Sequence, residues 1–329
     1  MEVNNIITTK DIAKIANVSI ATVSRVLNNN PNVSEKTRKK VIMAIKSLGY
    51  EPNLFAKNLA KKNKWNIGIG CTDEVFDGLH NSENNFYVPI MSGVKDYFSK
   101  LKSNLFIFSI EDKKLNISFD EIDGFMLVGG GLKKEDIEYF LNYNKPVVVV
   151  DEYIWGLDVD SIVSNGFLGT YNIVKTFLNK GYKKIVYFHY KEEHYSFEQR
   201  KLGYEKALIE IGLTPKIYSF TEVSDLKKLT LNVAKEKPEI IVTSKDLCAI
   251  EIMKILEKNN YKIPEDIGVI GFDDLNVAEQ FQLTTVRVPR EEMGNLAAGR
   301  LFNLMNGINP HPIMISLFTK PIIRKSVKL

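Results

Sequence analysis

The sequence predicts a small all-α head followed by a larger α/β body, and two observations lead to this division. Helical periodicity dominates about the first sixty residues, whereas buried-type strands alternate with helices from Trp65 onward. A length of 329 residues allows about two domains of ~150 residues each. The composition, 44% hydrophobic and 26% charged, is typical of globular proteins and excludes collagen, coiled-coil rods and disordered chains.

The net charge changes at the same place as the periodicity. Residues 1–63 contain eleven Lys and Arg against four Asp and Glu, which gives this segment a net charge of +7. The whole chain carries +4, so the remaining residues carry −3. A basic head on a mildly acidic body favours a module that binds a polyanion such as nucleic acid; the alternative is a solvated lysine-rich surface.

Two short helices joined by a tight turn open the head. Thr9 is placed to cap a helix over 10–16, and Ser19 is placed to cap a second helix over 20–27. Between them, Asn17 tolerates the left-handed conformation that an abrupt turn requires. Two short helices joined in this way form a helix-turn-helix.

A third helix closes the small core of the head. Ser34 opens this helix and Gly49 is placed to end it. The apolar spacing in the three helices predicts a shared core of Ile12, Ala13, Ala16, Val23, Val26, Leu27, Val41, Ile45 and Leu48.

The exposed face of the second helix fits the major groove of DNA. This face consists of Ile20, Ala21, Thr22, Ser24 and Arg25. The N-terminal residues of such a helix reach base edges, an arginine can clamp guanine O6 and N7, and hydroxyl groups can hold phosphates. The alternative is a generic three-helix bundle that happens to be basic.

The motifs of the head are specific enough to indicate a family. Residues 11–28 read DIAKIANVSIATVSRVLN, and they are followed by VSEKTR from Val33 and LGYEPN from Leu48. These motifs resemble the head signature of the lactose/galactose-repressor (LacI/GalR) family of bacterial transcription regulators, in its galactose-type or catabolite-control-like branch. One departure is Asn17, where glycine is commoner. The resemblance covers essentially the whole chain.

The resemblance implies a helix-turn-helix head, a hinge helix and a two-lobed α/β body that looks like a periplasmic binding protein, with two doubly wound parallel sheets. The implied regions are a DNA-binding domain over 1–52, a hinge helix and linker over 53–63, and an effector-binding and dimerisation domain over 64–329. The implied lobes are about 64–162 with 289–319, and about 163–288 with 320–329.

The hinge helix follows Pro52 and begins at the capping residue Asn53. It is too short to be stable alone in water, and in the family it orders when paired with its symmetry mate on operator DNA. The resemblance implies that Leu59 is a wedge inserted into the minor groove and that Ala56 permits close approach there. The alternative is a linker helix whose Leu59 packs on the body. The predicted DNA-binding residues are Thr9, Ser19, Ile20, Ala21, Thr22, Ser24, Arg25, Asn28, Tyr50, Asn53, Ala56 and Leu59.

The body alternates strands and helices, which predicts parallel sheets with ligands beyond the carboxyl ends of the strands. The predicted strands are 65–71, 104–109, 124–128, 147–150, 184–189, 216–220, 240–243 and 267–271. The predicted helices are 90–101, 133–142, 166–180, 196–211, 224–235, 246–259 and 290–306.

Motifs that carry catalysis are missing from the body. The glycine run from Gly129 lacks the spacing of a phosphate-binding loop, and the sequence contains neither HExxH nor GxSxG. Cys71 and Cys248 make no metal-binding spacing. We therefore expect a binding protein rather than an enzyme, with no cofactor and no metal. No apolar run approaches ~18 residues and no export signal opens the chain, so we expect a cytoplasmic, nucleoid-associated protein without a membrane segment.

Polar residues follow several predicted strands, where a ligand of a doubly wound fold would bind. In the family, the positions of Asp151, Arg200 and Asp273 bind effector hydroxyls, and Phe86-Tyr87 matches an aromatic patch that lines the cleft. The family usually has a neutral residue at Lys245, so this lysine either pairs with Asp273 or favours an anionic ligand such as a sugar phosphate. The predicted effector-binding residues are Asp73, Phe86, Tyr87, Asp151, His189, Arg200, Phe220, Lys245 and Asp273.

These observations predict a transcription repressor of a carbohydrate-utilisation operon, controlled by a sugar or sugar-phosphate effector. The chain ends soon after Arg324 without a leucine heptad extension, so we expect a homodimer on a palindromic operator. One alternative is a catabolite-control regulator that acts with a phosphorylated carrier protein. Another is a sugar enzyme with a regulatory head. The sequence leaves open the identity of the effector and whether it releases or strengthens DNA binding.

Overall fold

The structure, a computed structural model, describes residues 9–27, 33–48, 64–81, 85–191 and 194–328. The chain divides into two compact units, Met1–Asn63 and Lys64–Leu329, which are the head and the body. The predictions for Asn28, Gly49, Tyr50, Asn53, Ala56, Leu59 and the whole hinge helix lie outside the described residues.

The head contains the predicted helix-turn-helix and third helix. Helix α1 is Thr9–Ala16, α2 is Ile20–Leu27 and α3 is Glu35–Leu48. Thr9 is the first residue of α1 rather than the residue before it. The turn residue Asn17 has a φ of 52°, in the left-handed region. The predicted caps form at Ser19, whose Oγ accepts the amide of Thr22 at 3.1 Å, and at Ser34, whose Oγ accepts the amide of Thr37 at 3.3 Å.

One apolar cluster holds the three helices of the head together. Its buried members are Ile12, Ala13, Ala16, Val23, Val26, Val41 and Ala44. Ile45 and Leu48, also predicted in this core, are half-buried and pack against it, and Ala44 is buried although it was not predicted. The side chain of Leu27 lies outside the described residues. The burial of Val23 and Val26 fixes which side of α2 remains exposed.

The body is built on two parallel sheets, which define two lobes. Lobe one has a six-stranded sheet in the order β11-β5-β4-β3-β1-β2. Its strands are β1 (Trp65–Cys71), β2 (Ser103–Ser109), β3 (Gly124–Val128), β4 (Val147–Val150), β5 (Asp160–Ser164) and β11 (Met314–Leu317). Its helices are α4 (Asp73–Asn81), α5 (Tyr87–Ser99), α6 (Lys134–Leu141) and α12 (Arg290–Met305). A short 3-10 helix spans Phe119–Glu121.

Lobe two has a four-stranded sheet in the order β7-β6-β8-β9 and a two-stranded antiparallel pair of β10 and β12. Its strands are β6 (Ile185–Tyr190), β7 (Ile217–Phe220), β8 (Ile240–Thr243), β9 (Gly268–Ile270), β10 (Thr285–Arg287) and β12 (Lys320–Ile322). Its helices are α7 (Gly166–Leu178), α8 (Tyr195–Ile209), α9 (Leu226–Ala234), α10 (Asp246–Lys258) and α11 (Asn276–Gln280). A second 3-10 helix spans Val223–Asp225.

The predicted strands are present with bounds within one residue, and the predicted helices within three. Periodicity did not predict β5, β10, β11, β12, α4 and α11. The strands β10, β11 and β12 and the helix α11 are three to five residues long, and β11 and β12 expose most of their side chains. The buried strand β5 contains only two apolar residues, Ile162 and Val163, so it lacks the apolar run that marks a buried strand. None of the helices in the described part of the chain combines the length and hydropathy that a membrane span requires.

A buried ion pair joins α12 to β5 of the lobe-one sheet. Arg300 Nε donates to Asp160 Oδ1 at 2.6 Å, and both side chains are about 5% exposed. The other two guanidinium nitrogens donate to the carbonyls of Asn309 and His311 at 2.8 and 2.7 Å. This arginine therefore donates to three acceptors, one at the start of β5 and two in the segment that connects α12 to β11.

We expect Arg300→Met to lower the free energy of unfolding by about 3–5 kcal/mol, because it leaves the carboxylate of Asp160 buried and without its cation. Adding Asp160→Asn should recover part of this loss, since the remaining group is then neutral. Urea unfolding of the two variants measures the effect. A loss below about 1 kcal/mol in Arg300→Met, as for an exposed pair, would contradict the prediction.

Candidate nucleic-acid interface and ligand cavity

Helix α2 presents the predicted recognition face on the surface of the head. Ile20, Ala21 and Arg25 are exposed and Thr22 is half-buried, with Ile20 at 48% exposure. The side chain of Ser24 lies outside the described residues. Because Val23 and Val26 are buried, the face that holds Arg25 is the one available to a groove of DNA.

The other helices of the head, α1 and α3, carry cations. The exposed ones are Lys10, Lys14, Lys36, Lys39 and Lys40, and Arg38 is half-buried beside Glu35 at 3.7 Å. Side chains of this type neutralise backbone phosphates, which gives affinity without sequence preference. The head thus offers both a helix for base contacts and lysines for phosphate contacts.

A cavity lies between the two lobes of the body and contains about 820 Å³ of empty space, part of it open to solvent. Lobe one lines it with Glu74, Asn85, Phe86, Tyr87, Gly130 and Asp151. Lobe two lines it with His194, Phe197, Arg200, Lys245, Leu247, Asp273 and Leu275. The residues on both sides follow strands or begin helices, because the carboxyl ends of both sheets meet at the cleft.

Two aspartates of the cavity have strained backbone conformations. Asp151 directly follows β4 with a φ of 69°, and Asp273 follows β9 with a φ of 114°. Aspartate tolerates the left-handed region better than most residues, but the conformation still costs on the order of 1 kcal/mol or more. Strain of this kind is concentrated at functional sites.

On the lobe-one side, Tyr87 organises the cavity wall. Its hydroxyl donates to Asp151 Oδ2 at 3.0 Å and accepts the amide of Gly130 at 3.1 Å. Burial, followed by the carboxylate of Asp151, raises the pKa of Tyr87 well above its usual range, so this hydroxyl stays protonated and donates. Phe86 packs edge-on against the Tyr87 ring at 5.0 Å.

On the lobe-two side, Arg200 and Asp273 form a buried pair. Arg200 Nη2 lies 3.0 Å from Asp273 Oδ1, and Nη1 donates to the carbonyl of Ser244. The guanidinium lies 3.9 Å from the ring centroid of Phe272 and 5.4 Å from that of Phe197. Arg200 Nε and Asp273 Oδ1 nevertheless have no hydrogen-bond partner in the described structure. Burial raises the pKa of Asp273, although Arg200 partly offsets it.

Glu152 and His194 join the lobes at the back of the cavity. The carboxylate of Glu152 accepts the amide of Gly131 in lobe one at 2.9 Å and the amide of Tyr195 in lobe two at 3.0 Å. His194 Nδ1 accepts the amide of Ser196 at 3.1 Å and lies 3.6 Å from Glu152 Oε2, and Nε2 lies 3.6 Å from Asp151 Oδ2.

The backbone of the glycine run makes this junction possible. A Cβ atom on Gly130 would lie 2.0 Å from the His194 ring, so the contact requires glycine. The sequence analysis missed the roles of Glu152 and Gly130 at this junction. Glu152 could have been predicted, because it is a second carboxylate directly after Asp151 at the end of a strand. The contact of Gly130 could not, because it depends on a residue of the opposite lobe.

Three of the predicted effector-binding residues lie away from the cavity. Asp73 begins α4 and accepts the Ser109 hydroxyl at 2.5 Å, and its neighbour Glu74 lines the cavity instead. His189 Nε2 lies 3.0 Å from Glu198 Oε1. Side chains alternate along β6, so His189 and its neighbour Tyr190 point to opposite faces of the sheet. Phe220 packs on the Tyr190 ring at 5.3 Å within the core of lobe two.

The described residues contain no group of three or more His, Cys, Asp or Glu side chains that could hold a metal ion. Cys71 and Cys248 are buried free thiols. Burial raises the pKa of Cys71 to about 12 and that of Cys248 to about 11, so both thiols are protonated near neutral pH. Neither cysteine therefore has the properties of a nucleophile.

The chain is similar to known regulators over nearly its full length. Residues 8–53 match the model of bacterial regulatory proteins of the lacI family, and residues 174–327 match a periplasmic binding protein-like domain. The probable HTH-type transcriptional repressor ExuR of Bacillus subtilis (strain 168) is 32% identical, with 98% of each chain covered. Catabolite control protein A of Priestia megaterium is 28% identical, with 98% of this chain and 99% of the relative covered.

The fold is also that of solved regulators. The lac repressor dimer bound to operator and the anti-inducer ONPF matches with a TM-score of 0.67 and 22% identity, covering 98% of this chain and 99% of the repressor chain. This agrees with the two-lobed body and confirms the predicted fold class. By its identity to full-length relatives and by its head motif, this chain belongs to the LacI family of bacterial transcription regulators.

Proposed function

We propose that this protein is a transcription repressor that binds a twofold-symmetric operator as a homodimer and responds to a sugar or sugar phosphate held between its lobes. The observation that carries the proposal is the pairing of Asp151 from lobe one with Arg200 and Asp273 from lobe two around one cavity. The exposed face of α2 supplies the DNA-binding half of the proposal.

The chemistry of the cavity suits a polyhydroxy ligand. Sugars are recognised by fixed, planar hydrogen-bonding groups together with aromatic faces in a cleft that excludes water. The carboxylates of Asp151 and Asp273 and the guanidinium of Arg200 are held by neighbouring side chains, and Phe86 and Phe197 supply the aromatic rings. Contacts that position these groups in the absence of a ligand lower the entropy cost of binding.

The junction of Glu152 and His194 supports a coupling between the cavity and the arrangement of the lobes. A ligand that contacts Asp151 competes with or reinforces hydrogen bonds that cross from one lobe to the other. Such a ligand has different affinities for different lobe arrangements, and this difference is what shifts a conformational equilibrium. A coupling free energy of ~1–3 kcal/mol is typical of such linkage.

A second candidate is a catabolite-control regulator whose co-regulator is a phosphorylated carrier protein. The observation that favours it is the similarity to catabolite control protein A across nearly the whole chain. Adding the phosphorylated carrier protein to an operator-binding assay distinguishes the two candidates. Tighter binding with the carrier, and no response to any sugar, would replace the sugar-responsive proposal with this one.

The proposal is tested by fluorescence anisotropy of the full chain with labelled duplexes selected from random sequence. We expect the selected duplexes to be twofold symmetric and to lose affinity as salt rises, since phosphate contacts release counterions. A panel of sugars and sugar phosphates is then titrated into the complex. Binding without preference for any symmetric duplex, at every ligand, would contradict the proposal.

We expect Arg25→Ala to cost about 1–3 kcal/mol of operator affinity and to relax the preference at one base pair in each half-site. The reason is the loss of a two-point contact from the guanidinium to a guanine edge. Arg25→Lys serves as a control that keeps the charge but loses the fork geometry, so it should relax the preference with a smaller loss of affinity. An unchanged base preference in both variants would show that α2 does not read this position.

We expect Arg200→Lys and Asp273→Asn to abolish the dose response to an effector. Each substitution keeps the size of the side chain and removes the paired geometry in the cavity wall. Lys206→Ala is the control on the same helix, because Lys206 contacts Glu210 on the surface. Thermal unfolding checks that each variant is folded. A normal dose response in either cavity variant would remove that residue from the site.

We expect His194→Gln to remove a pH-dependent part of the stability of the body. Burial lowers the pKa of His194, but the carboxylates of Asp151 and Glu152 outweigh it and raise the pKa above its ordinary value. The charged imidazole therefore stabilises the fold fully below the unfolded pKa of ~6.5, and this stabilisation is lost as the pH rises through the raised pKa.

Urea unfolding at about pH 6 and about pH 9 measures this contribution. The loss of stability between the two pH values should be smaller in His194→Gln than in the parent protein. His311→Gln is the matched control, because His311 does not line the cavity. Equal pH-dependent losses in the parent and in His194→Gln would contradict the prediction.

A further inference from the structure

The ammonium group of Lys245 is a cation of the cavity that makes no ion pair with any described residue. Lys245 directly precedes α10, and both Lys245 and Leu247 line the cavity. Its Nζ atom lies 4.3 Å from the ring centroid of Tyr190 and 5.7 Å from that of Phe197. Among the described residues, no carboxylate oxygen lies within 4.0 Å of this nitrogen, the largest distance of an ion pair.

The expected partner of Lys245 is already occupied. Asp273 takes the guanidinium of Arg200 at 3.0 Å, so the alternative in which Lys245 pairs with Asp273 does not occur. The aromatic rings hold the ammonium in place through its attraction to their faces, but they do not neutralise it. A half-buried cation that is held and not neutralised is ready to accept an anion.

The acids of the cavity retain unused acceptors. Asp151 accepts one hydroxyl at each oxygen, from Tyr87 at 3.0 Å and from Ser196 at 3.4 Å, which leaves lone pairs for a ligand. Asp273 Oδ1 has no hydrogen-bond partner in the described structure. On the lobe-two side, Arg200 is 2% exposed and its Nε has no hydrogen-bond partner. The same cavity wall as Lys245 therefore holds a second positively charged group, the guanidinium of Arg200, with a donor that has no acceptor among the described residues.

We propose that the effector is an acidic sugar and that Lys245 binds its carboxylate or phosphate group, while Asp151, Arg200 and Asp273 contact its hydroxyls. This inference rests on the proposed function and names the ligand class of the same cavity. The positive end of α10, which begins directly after Lys245, adds to the attraction for an anion. A carboxylate and a phosphate share this chemistry, so the experiment has to separate them.

The test compares matched sets of ligands by isothermal titration calorimetry on the full chain. The sets are glucose with glucuronate and glucose 6-phosphate, galactose with galacturonate and galactose 6-phosphate, and ribose with ribonate and ribose 5-phosphate. We expect at least one acidic member to bind about tenfold or more tightly than its neutral parent, as a charge-assisted contact gives. The carboxylate and phosphate members of that set then identify which anion the cavity takes.

Two substitutions at Lys245 assign the preference to this side chain. Lys245→Met keeps the length and removes the charge, so it should lose about tenfold or more in affinity for the acidic ligand and little for the neutral parent. Lys245→Arg should restore much of the preference. The matched control is Lys254→Met on the same helix, because Lys254 also lies over an aromatic ring, at 5.5 Å from the centroid of Phe281, but does not line the cavity.

The outcomes separate this inference from the proposed function. If a neutral sugar binds as tightly as its acidic relatives, or if Lys245→Met loses the same factor for both, the acidic-sugar inference is overturned and the sugar-responsive repressor stands. If no member of any set binds while operator binding is intact, both the inference and the sugar-responsive part of the proposed function are overturned.

Discussion

Carboxylates buried where two sheets meet need partners, because an uncompensated buried charge destabilises the fold by several kcal/mol. In this body the partners come from across the cleft. Asp151 and Glu152 follow a strand of lobe one, and lobe two supplies the hydroxyl of Ser196, the amide of Tyr195 and the imidazole of His194. These contacts therefore favour the arrangement of the lobes seen in the structure. Any movement of the lobes exchanges protein partners for water or ligand.

Periodicity predicted most of the sheet strands, because a parallel strand is buried on both faces and reads as a continuous apolar run. In β3 and β4 alternate residues enter two different cores: Met126 and Val148 pack on one side of the sheet, and Leu127 and Val149 on the other. The strand β11 has no such run, since only Leu317 is buried in it. Its place beside β5 depends on pairing between segments about 150 residues apart, which no local pattern encodes.

The candidate site was predictable to the extent that it depends on strand ends. Asp151, Lys245 and Asp273 each follow a strand, and parallel sheets bring such positions to one edge whatever the details of packing. The sequence cannot fix which of two successive side chains faces the cavity, because one residue along a strand reverses the direction. At Asp73 and Glu74 the chain has already entered α4, where successive side chains point in different directions around the helix axis, and Glu74 rather than Asp73 lines the cavity. The contact of Gly130 with His194 involves both lobes and has no local signal at all.

The free energies stored in the cavity are of the size that regulation requires. Two aspartates with positive φ and an unpaired guanidinium nitrogen each cost on the order of 1–3 kcal/mol, which the rest of the fold offsets. A coupling of ~1–3 kcal/mol between a ligand and a conformational equilibrium is enough for a switch. A ligand that accepts a hydrogen bond from Arg200 Nε in only one arrangement of the lobes would therefore supply a coupling of this size.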